Sequence, residues 1–577
     1  MAGDIGSRRS TAVLLGICLL AAGLRLLALA YGLPATYNPD ETPILNRALA
    51  FAKGDLNPHN FLYPSLYFYA LFAWEVLFFA VGRALGWFAS IDAFQREFFT
   101  DPSRLFLAGR ALTALFGIAT VPAVYGFGRR LYDETTALSA AAFMAVAPVA
   151  VRDAHYVKLD VPVTFFVVLT HVVLARIVTD PGAAGRRRSW LIAGLFAGLT
   201  ISTHYYAAFI VIPIAMAALV DGSKTGDWMR ASRMLALAAA ATVAGFVIGT
   251  PFFFAEPHTA LRDIVAVREI DIDRAVVATG AFTSFARYAE ILLRDTVGWP
   301  VCLLAAIGFV WAIVADWRRG LLLVSFTAAF MAFVSNTVPM SRYLNVVIPL
   351  ICLAAAFTVT RVARAFGESA RIAATALTML ALVPGFVLSL RIDLFFRQAD
   401  TRTIARQYVE SHMPGGATIL IQPYGAPLRQ SHEALLESLR GHLGSEQRAS
   451  IKFQLMLAAR PPEPSYRLIY LGDGGEDPDK IYVSPSAFGH GAGLAPLRAL
   501  GVKFVILKHN NVPNPALKDL EAALAREGRQ VAAFSPYRGT ATERERIEVA
   551  PFLHNTAARI HPALERPGPG IDIWALD

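Results

Sequence analysis

The chain has 577 residues, of which 55% are hydrophobic and only 17% charged, with a mean hydropathy of +0.46. Soluble domains carry about 25% charged residues, so this composition excludes an ordinary soluble enzyme and fits a chain built for lipid. The net charge of +9 would suit a nucleic-acid binder, but the basic residues lie in short loops between apolar runs, which argues against nucleic acid and for membrane topology.

Apolar runs of about 17–25 residues suffice to span a bilayer. They centre near residues 22, 116, 143, 169, 243, 306, 329, 351 and 381, with shorter helices around 190–220 broken at "STHYY" and a further run at 62–86. The first run has the basic start and "LALA" of a signal peptide, yet its length and Arg25 suit a retained helix better. Placing Arg8/Arg9 in the cytoplasm puts Asp40 outside and, by alternation, Arg129/Arg130 inside and "VRDAHYVKLD" outside. That parity holds only if 62–86 does not cross as a single span, so an interfacial or re-entrant element is expected there. Continuing, Arg186–Arg188, Lys224–Arg233, Arg318/Arg319 and Arg361–Arg371 all fall inside, while "STHYY", the loop 254–296, "VPMSRY" and the last 185 or so residues fall outside. Every basic loop lands on one side, as the positive-inside rule requires.

The tail changes character. "TRTIARQYVESHMPGG" reads as a helix stopped by Pro-Gly. The β-rich runs "ATILIQ", "YRLIYLG", "VKFVILK", "RQVAAFS" and "IDIWAL" follow, with "ALKDLEAALAREG" as a helix between two of them. A small α/β domain over 396–577, outside the membrane, is expected after a helical membrane domain at 1–395. Cys18, Cys302 and Cys352 all lie in apolar runs and form neither a disulfide framework nor a zinc-ligand spacing.

Ionisable residues at a membrane edge are costly and mark function by default. The outer edge collects Asp40, Glu41, His59, Arg152, Asp153, His155, Tyr156, Lys158, Asp160, His204, Tyr205, Tyr206, His258, Arg342 and Tyr343, from at least five loops. A carboxylate can take a proton from an incoming hydroxyl, an arginine fork can hold a phosphate and the charge that grows on it as it leaves, and aromatics can flank a sugar. Together these equip a site for glycosyl transfer from a lipid phosphate by one displacement with inversion.

"NPDET", "HNFLYPSLYFY" and "AGRALTALFGIATVPAVYGFGRRLYDETTALSAAAFMAVAPVAVRDAHYVKLDVPVTFF", followed by "LTISTHYYAAFIVIP" and "PMSRYLNVVIPL", resemble the GT-C membrane glycosyltransferases, in the branch of protein O-mannosyltransferases and aminoarabinose transferases. The resemblance covers roughly the first 390 residues and rests on the order of the motifs. It implies a mainly α, polytopic GT-C fold of about 11–13 transmembrane helices and a sugar donor on polyprenyl phosphate used at the extracytoplasmic face. It also implies roles: Asp40 as catalytic base with Glu41 as companion, Asp160 as the second-loop acid where donor and acceptor meet, and Arg342, beside Tyr343, as the group holding the donor phosphate. The position of His204 is often Lys in relatives ("STKY"), so a phosphate contact by His204 requires a protonated imidazole. Lys158, Asp153, His155, Tyr156 and His59 complete the expected substrate-binding set.

Plainer readings compete. "NPDETPI" is also a helix start with Asn38 as cap, Pro39 at the first position and acids in the first turn. Asp160 could cap "VPVTFFVVL", Asp153 could simply pair with Arg152, and Lys158 could snorkel. Asp40, Glu41, Asp160 and a histidine could supply ligands to a divalent metal, though no spacing demands one, and metal ligands stay unassigned. The expected partners are the bilayer, the polyprenyl-phosphate sugar and a glycan, lipid or protein acceptor, in a bacterial inner membrane with the N-terminus cytoplasmic. The rival from another class is a polytopic transporter or lipid flippase, which predicts charges at the bilayer midplane and symmetry-related halves; here the acids gather at one edge.

Overall fold

The computed structural model describes residues 2–269, 272, 284–460, 462–474, 477–489, 492–553 and 559–576. Part of the expected outer loop 254–296 therefore lies outside the described residues. The chain opens with helices α1 (Ala2–Leu26), α2 (Glu41–Ala50), α3 (Leu66–Ala84), α4 (Ile91–Thr100), α5 (Ser103–Leu131), α6 (Glu134–Ala145), α7 (Pro148–Asp153) and α8 (Asp160–Thr179). Among the described residues, eight stretches are long and apolar enough to cross a membrane. That is fewer than the expected helices because the last stretch, Ser341–His412, contains both Ile348–Ala363 and Ala370–Phe396, while Arg187–Ile201 and Trp299–Ala315 are shorter. Their outward faces are apolar: Leu19, Ile248, Val310, Val314 and Leu380 are all exposed, a belt that water would not tolerate and lipid does.

The run centred on 143 is not one helix. Ala147 is extended, as a residue before proline is steered to be, and the chain restarts at Pro148 as α7. The carbonyls freed at the end of α6 are met by Arg25, which donates to Met144 O (3.1 Å) and Ala145 O (2.8 Å). An arginine inside the first apolar helix is thus a cap for another helix's end.

The basic loops meet at one face of the bundle, where Arg364 pairs with Asp133 (3.2 Å), Arg230 pairs with Asp221 (2.6 Å) and Lys224 donates to Val178 O. The acid-bearing loops meet at the other. Helix α3 starts there, with Ser65 N donating to Thr250 Oγ1 and Leu66 N to Ser202 O. Through α4 it ends against the C-terminal helix Ile451–Ala459. Both ends of α3 therefore lie on the acid face, so this 19-residue helix does not join the two faces despite its length and apolarity. The alternation read from the sequence needs just that.

Helices Arg187–Ile201 and Trp228–Gly249 approach backbone to backbone. A Cβ at Gly194 would sit 2.1 Å from Ala238 O, and one at Gly198 would sit 2.2 Å from Thr242 O. Small residues on both sides allow this close packing, the usual route to helix association where lipid surrounds the helices. This seam holds the "STHYY" loop, which begins at the end of the first of these helices.

The C-terminal domain holds a six-stranded sheet: β1 (Thr418–Ile421), β2 (Arg467–Leu471), β3 (Ile481–Val483), β4 (Phe504–His509), β5 (Arg529–Phe534) and β6 (Gly570–Ala575), in the order β3-β2-β1-β4-β6-β5. β1 to β4 pair in parallel, and β6 runs antiparallel to β4 and β5. The five expected strands and both expected helices, Thr401–His412 and Lys518–Glu527, are present; three-residue β3 carried too little pattern to be read. The domain is stitched to the first acid loop: Tyr31 donates to Asp400 (3.0 Å), Tyr37 and Thr403 share a hydrogen bond (2.6 Å), and Arg402 lies 3.8 Å over the Tyr37 ring.

Candidate active site

Helix α2 begins at Glu41, two residues later than a cap at Asn38 would place it. Asn38 still helps, since its side chain accepts from Asp40 N (3.1 Å) and its carbonyl from Glu41 N. Asp40 occupies the cap position but makes no side-chain capping bond. Its carboxylate points elsewhere: Oδ2 lies 3.0 Å from Lys158 Nζ and accepts from Arg342 Nη1. Asp160 likewise begins α8 without capping it and accepts from the Tyr206 hydroxyl (3.2 Å). In both cases the carboxylate is turned away from its own helix.

Asp40, Lys158, Asp160, His204 and Arg342 line one cleft, closed by Ile44, Tyr63 and Leu159, with a cavity of only about 10 Å3 between them. Asp40 keeps 31% of its side-chain surface exposed, against 14% for Arg342 and 1% for Lys158. The acid is thus the most accessible of the three charges, and the two cations are presented to whatever enters beside it. The Lys158 ammonium is held below the ordinary lysine range by burial, partly offset by Asp40. His204 stacks on Tyr206 (3.7 Å) and meets Tyr63 edge-on (5.3 Å). Burial, with the neighbouring Arg342 charge, pushes it down to about 3. That shift favours the neutral imidazole over the phosphate-binding cation. Tyr343 backs the arginine, its ring 5.4 Å from the guanidinium.

The other expected residues stand behind the cleft or away from it. Glu41 is fully buried and makes a bidentate pair with Arg110, both contacts at 2.8 Å, while accepting from Val157 N (3.0 Å). Arg110 also donates to Leu29 O and Tyr31 O. This carboxylate faces the protein interior and does not line the cleft, contrary to its expected place as companion to the base. Asp153 is held by Arg152 (2.8 Å) and by Asn345 Nδ2 (2.6 Å), while Arg152 also donates to Ser341 (3.0 Å). That network fixes the 341–347 turn, and with it Arg342, over the second acid loop. His155 places Nδ1 2.9 Å from Val151 O and Nε2 2.6 Å from Leu27 O. Tyr156 is buried against Tyr31 and Phe396. These residues build the loop and do not face the cleft.

His59 lies outside the cleft on an exposed turn, 2.9 Å from Asp55 and 2.5 Å from Glu256. Hydrogen bonds to Asp55 and then Glu256 raise its affinity for a proton above the ordinary histidine value. A raised value means the clasp is complete below the free-histidine range and is lost as pH rises through the raised one. Proteolysis of the 54–60 turn should therefore quicken on going from pH 6 to 9, two values on either side of ordinary histidine titration, and His59→Ala should remove that dependence. His258 is exposed on helix Pro257–Arg268. Residues missed in the sequence are Arg110, which reads as an ordinary charge near a helix end, Asn345, and Tyr63 of the cleft wall. Among the described residues no group of three His, Cys, Asp or Glu side chains converges as metal ligands do. The cleft's acids face cations and a hydroxyl, which does not suit a divalent ion.

Residues 103–249 match the family described as dolichyl-phosphate-mannose-protein mannosyltransferase. A search of curated protein sequences finds no match. Among solved structures, ArnT from Cupriavidus metallidurans in the apo state is similar at 14% identity and TM-score 0.53, over 92% of this chain and 97% of that one. The same protein bound to undecaprenyl phosphate gives 15% identity and TM-score 0.50, over 91% and 96%. The Archaeoglobus fulgidus oligosaccharyltransferase in the apo form gives 12% identity and TM-score 0.48, over 86% and 69%. With its helical membrane bundle, acid-bearing loops on one face and small α/β domain above them, the chain has the fold of the GT-C glycosyltransferase superfamily.

Proposed function

We propose that the protein transfers one sugar from a polyprenyl-phosphate donor to a hydroxyl acceptor in the cleft between its first two acid loops. The acceptor oxygen attacks the anomeric carbon, and its proton passes to Asp40. The bond from that carbon to the phosphate oxygen breaks, and the electron pair leaves with the polyprenyl phosphate, held by Arg342 and Lys158. One displacement inverts the anomeric centre. The observation that carries this reading is the convergence of Asp40, Lys158, Asp160 and Arg342, from three separate loops, into one cleft.

The pairing of Asp40 with both cations supports one order of events. An arriving phosphate offers Lys158 and Arg342 a second anion, and as they turn to it the carboxylate is released to take the acceptor's proton. Asp160, held by Tyr206, orients the sugar hydroxyls in this reading. The undecaprenyl phosphate in the ArnT structure supports a lipid-phosphate donor for this fold. The basic loops on the opposite face support an orientation with the cleft extracytoplasmic, in a bacterial inner membrane.

Arg342→Ala or Lys158→Ala should weaken binding of polyprenyl phosphate by about ten- to a hundredfold, the loss of one charge-assisted hydrogen bond at about 1.5–3 kcal/mol. Isothermal titration calorimetry of the purified protein in detergent reads this directly. Because burial holds Lys158 below the ordinary lysine range, affinity should fall with rising pH sooner than an unperturbed lysine would allow, and Lys158→Arg should remove that fall. Unchanged affinity in both alanine variants would reject the phosphate site.

A further inference from the structure

On the far side of α2 from the cleft lies a second, larger cavity of about 360 Å3, within the roughly 300–1,000 Å3 range of small-molecule sites. Its walls are Leu49 and Ala50 of α2, Phe72, Val76 and Phe79 of α3, Phe94 and Phe98 of α4, and Ile451 and Leu455 of the C-terminal domain. Glu75 also lines it. That side chain is 2% exposed, and among the described residues neither carboxyl oxygen has a hydrogen-bond partner. The contrast with Glu41, whose oxygens are met by Arg110 and Val157 N, is informative. A buried carboxyl left unmet is costly, and a leucine would pack the same place without that cost.

We propose that this cavity binds the acyl chain of an anionic, hydroxyl-bearing membrane lipid. The aromatic and aliphatic walls take the chain. The Glu75 carboxyl takes the hydroxyl, a group able to donate to it or accept from it. Lys53 and Lys452, exposed at the lining, take the negative head group. Entry from the bilayer is direct, since Val76, Leu77, Val81 and Ile91 form an exposed apolar surface around it. The site is distinct from the reaction cleft and shares only α2 with it: Asp40 and Ile44 face the cleft, while Asn46, Leu49 and Ala50 face the cavity.

The test uses the full-length protein in detergent and a monoacyl glycerol phosphate carrying a photoreactive diazirine in its chain. Crosslinks should map to residues 72–99 and 451–455. Ala50→Trp and Val76→Trp, which fill the cavity from exposed positions, should each lower that labelling by at least about tenfold, the loss of two buried methylenes. Glu75→Leu should bring labelling down to that of the probe's analogue lacking the hydroxyl. Thermal unfolding and gel filtration confirm that each variant is folded. Labelling spread over all lipid-facing helices, labelling unchanged in both tryptophan variants, or preferential labelling of the cavity by a photoreactive polyprenyl phosphate would each overturn the proposal.

Discussion

Asp40→Asn should reduce sugar transfer by about two to four orders of magnitude, the usual contribution of a positioned general base, while leaving the protein folded. The amide has nearly the carboxylate's shape and can still accept from Lys158 and Arg342, which now occupy Oδ2. Loss of the charge frees those cations for the donor phosphate, so affinity for polyprenyl phosphate should hold or tighten. That pairing of lost turnover with kept donor binding separates a base from a mere wall residue. A structural role would lower both together, and a transporter would show no dependence of glycosidic-bond formation on this residue.

Glu41→Ala should give a different outcome although the residue is adjacent. Removing the carboxylate strands the Arg110 guanidinium, which is fully buried with its pair. Breaking a buried ion pair from one side costs about 3–5 kcal/mol, a large share of the roughly 5–15 kcal/mol that holds a native protein together. The variant should therefore be recovered in low yield, and its unfolding in detergent should shift to lower temperature. Arg110→Ala, which leaves Glu41 unpaired, should behave alike. The double replacement Glu41→Leu with Arg110→Leu should recover part of the loss, because two apolar side chains leave no orphaned charge. A folded, well-expressed and inactive Glu41→Ala would instead return this residue to the chemistry.

Those two neighbours illustrate what could be read from the sequence and what could not. The loop was legible as a candidate: an acid pair at the edge of an apolar helix is rare enough to mark one. The division of labour was not. Successive helical residues are rotated by about 100°, so Asp40 and Glu41 at the start of α2 cannot face the same way, and only the position of Arg110 decides which one enters the interior. The alternation of loops was legible because charge bias acts over the whole chain, and the basic loops do gather at one face. The non-crossing path of α3 followed from parity, not from its own residues, which are apolar enough to span. The C-terminal strands carried clear β-rich runs, but β3 is three residues long. His155, Tyr156 and Asp153 were expected at the site because they are polar and lie in the second acid loop; their partners, Leu27 O, Phe396 and Asn345, come from distant parts of the chain that one-dimensional reading cannot bring together.

The most direct measurement is the fate of the donor. Purified protein would be incubated with a polyprenyl-phosphate-linked sugar and a membrane glycolipid extract, and the products resolved by mass spectrometry and proton NMR. Free polyprenyl phosphate should be released in step with a new glycoside of opposite anomeric configuration, and neither should form with Asp40→Asn. Intact donor recovered unchanged by wild-type protein across a range of acceptors, or moved between bilayer leaflets without bond cleavage, would contradict it.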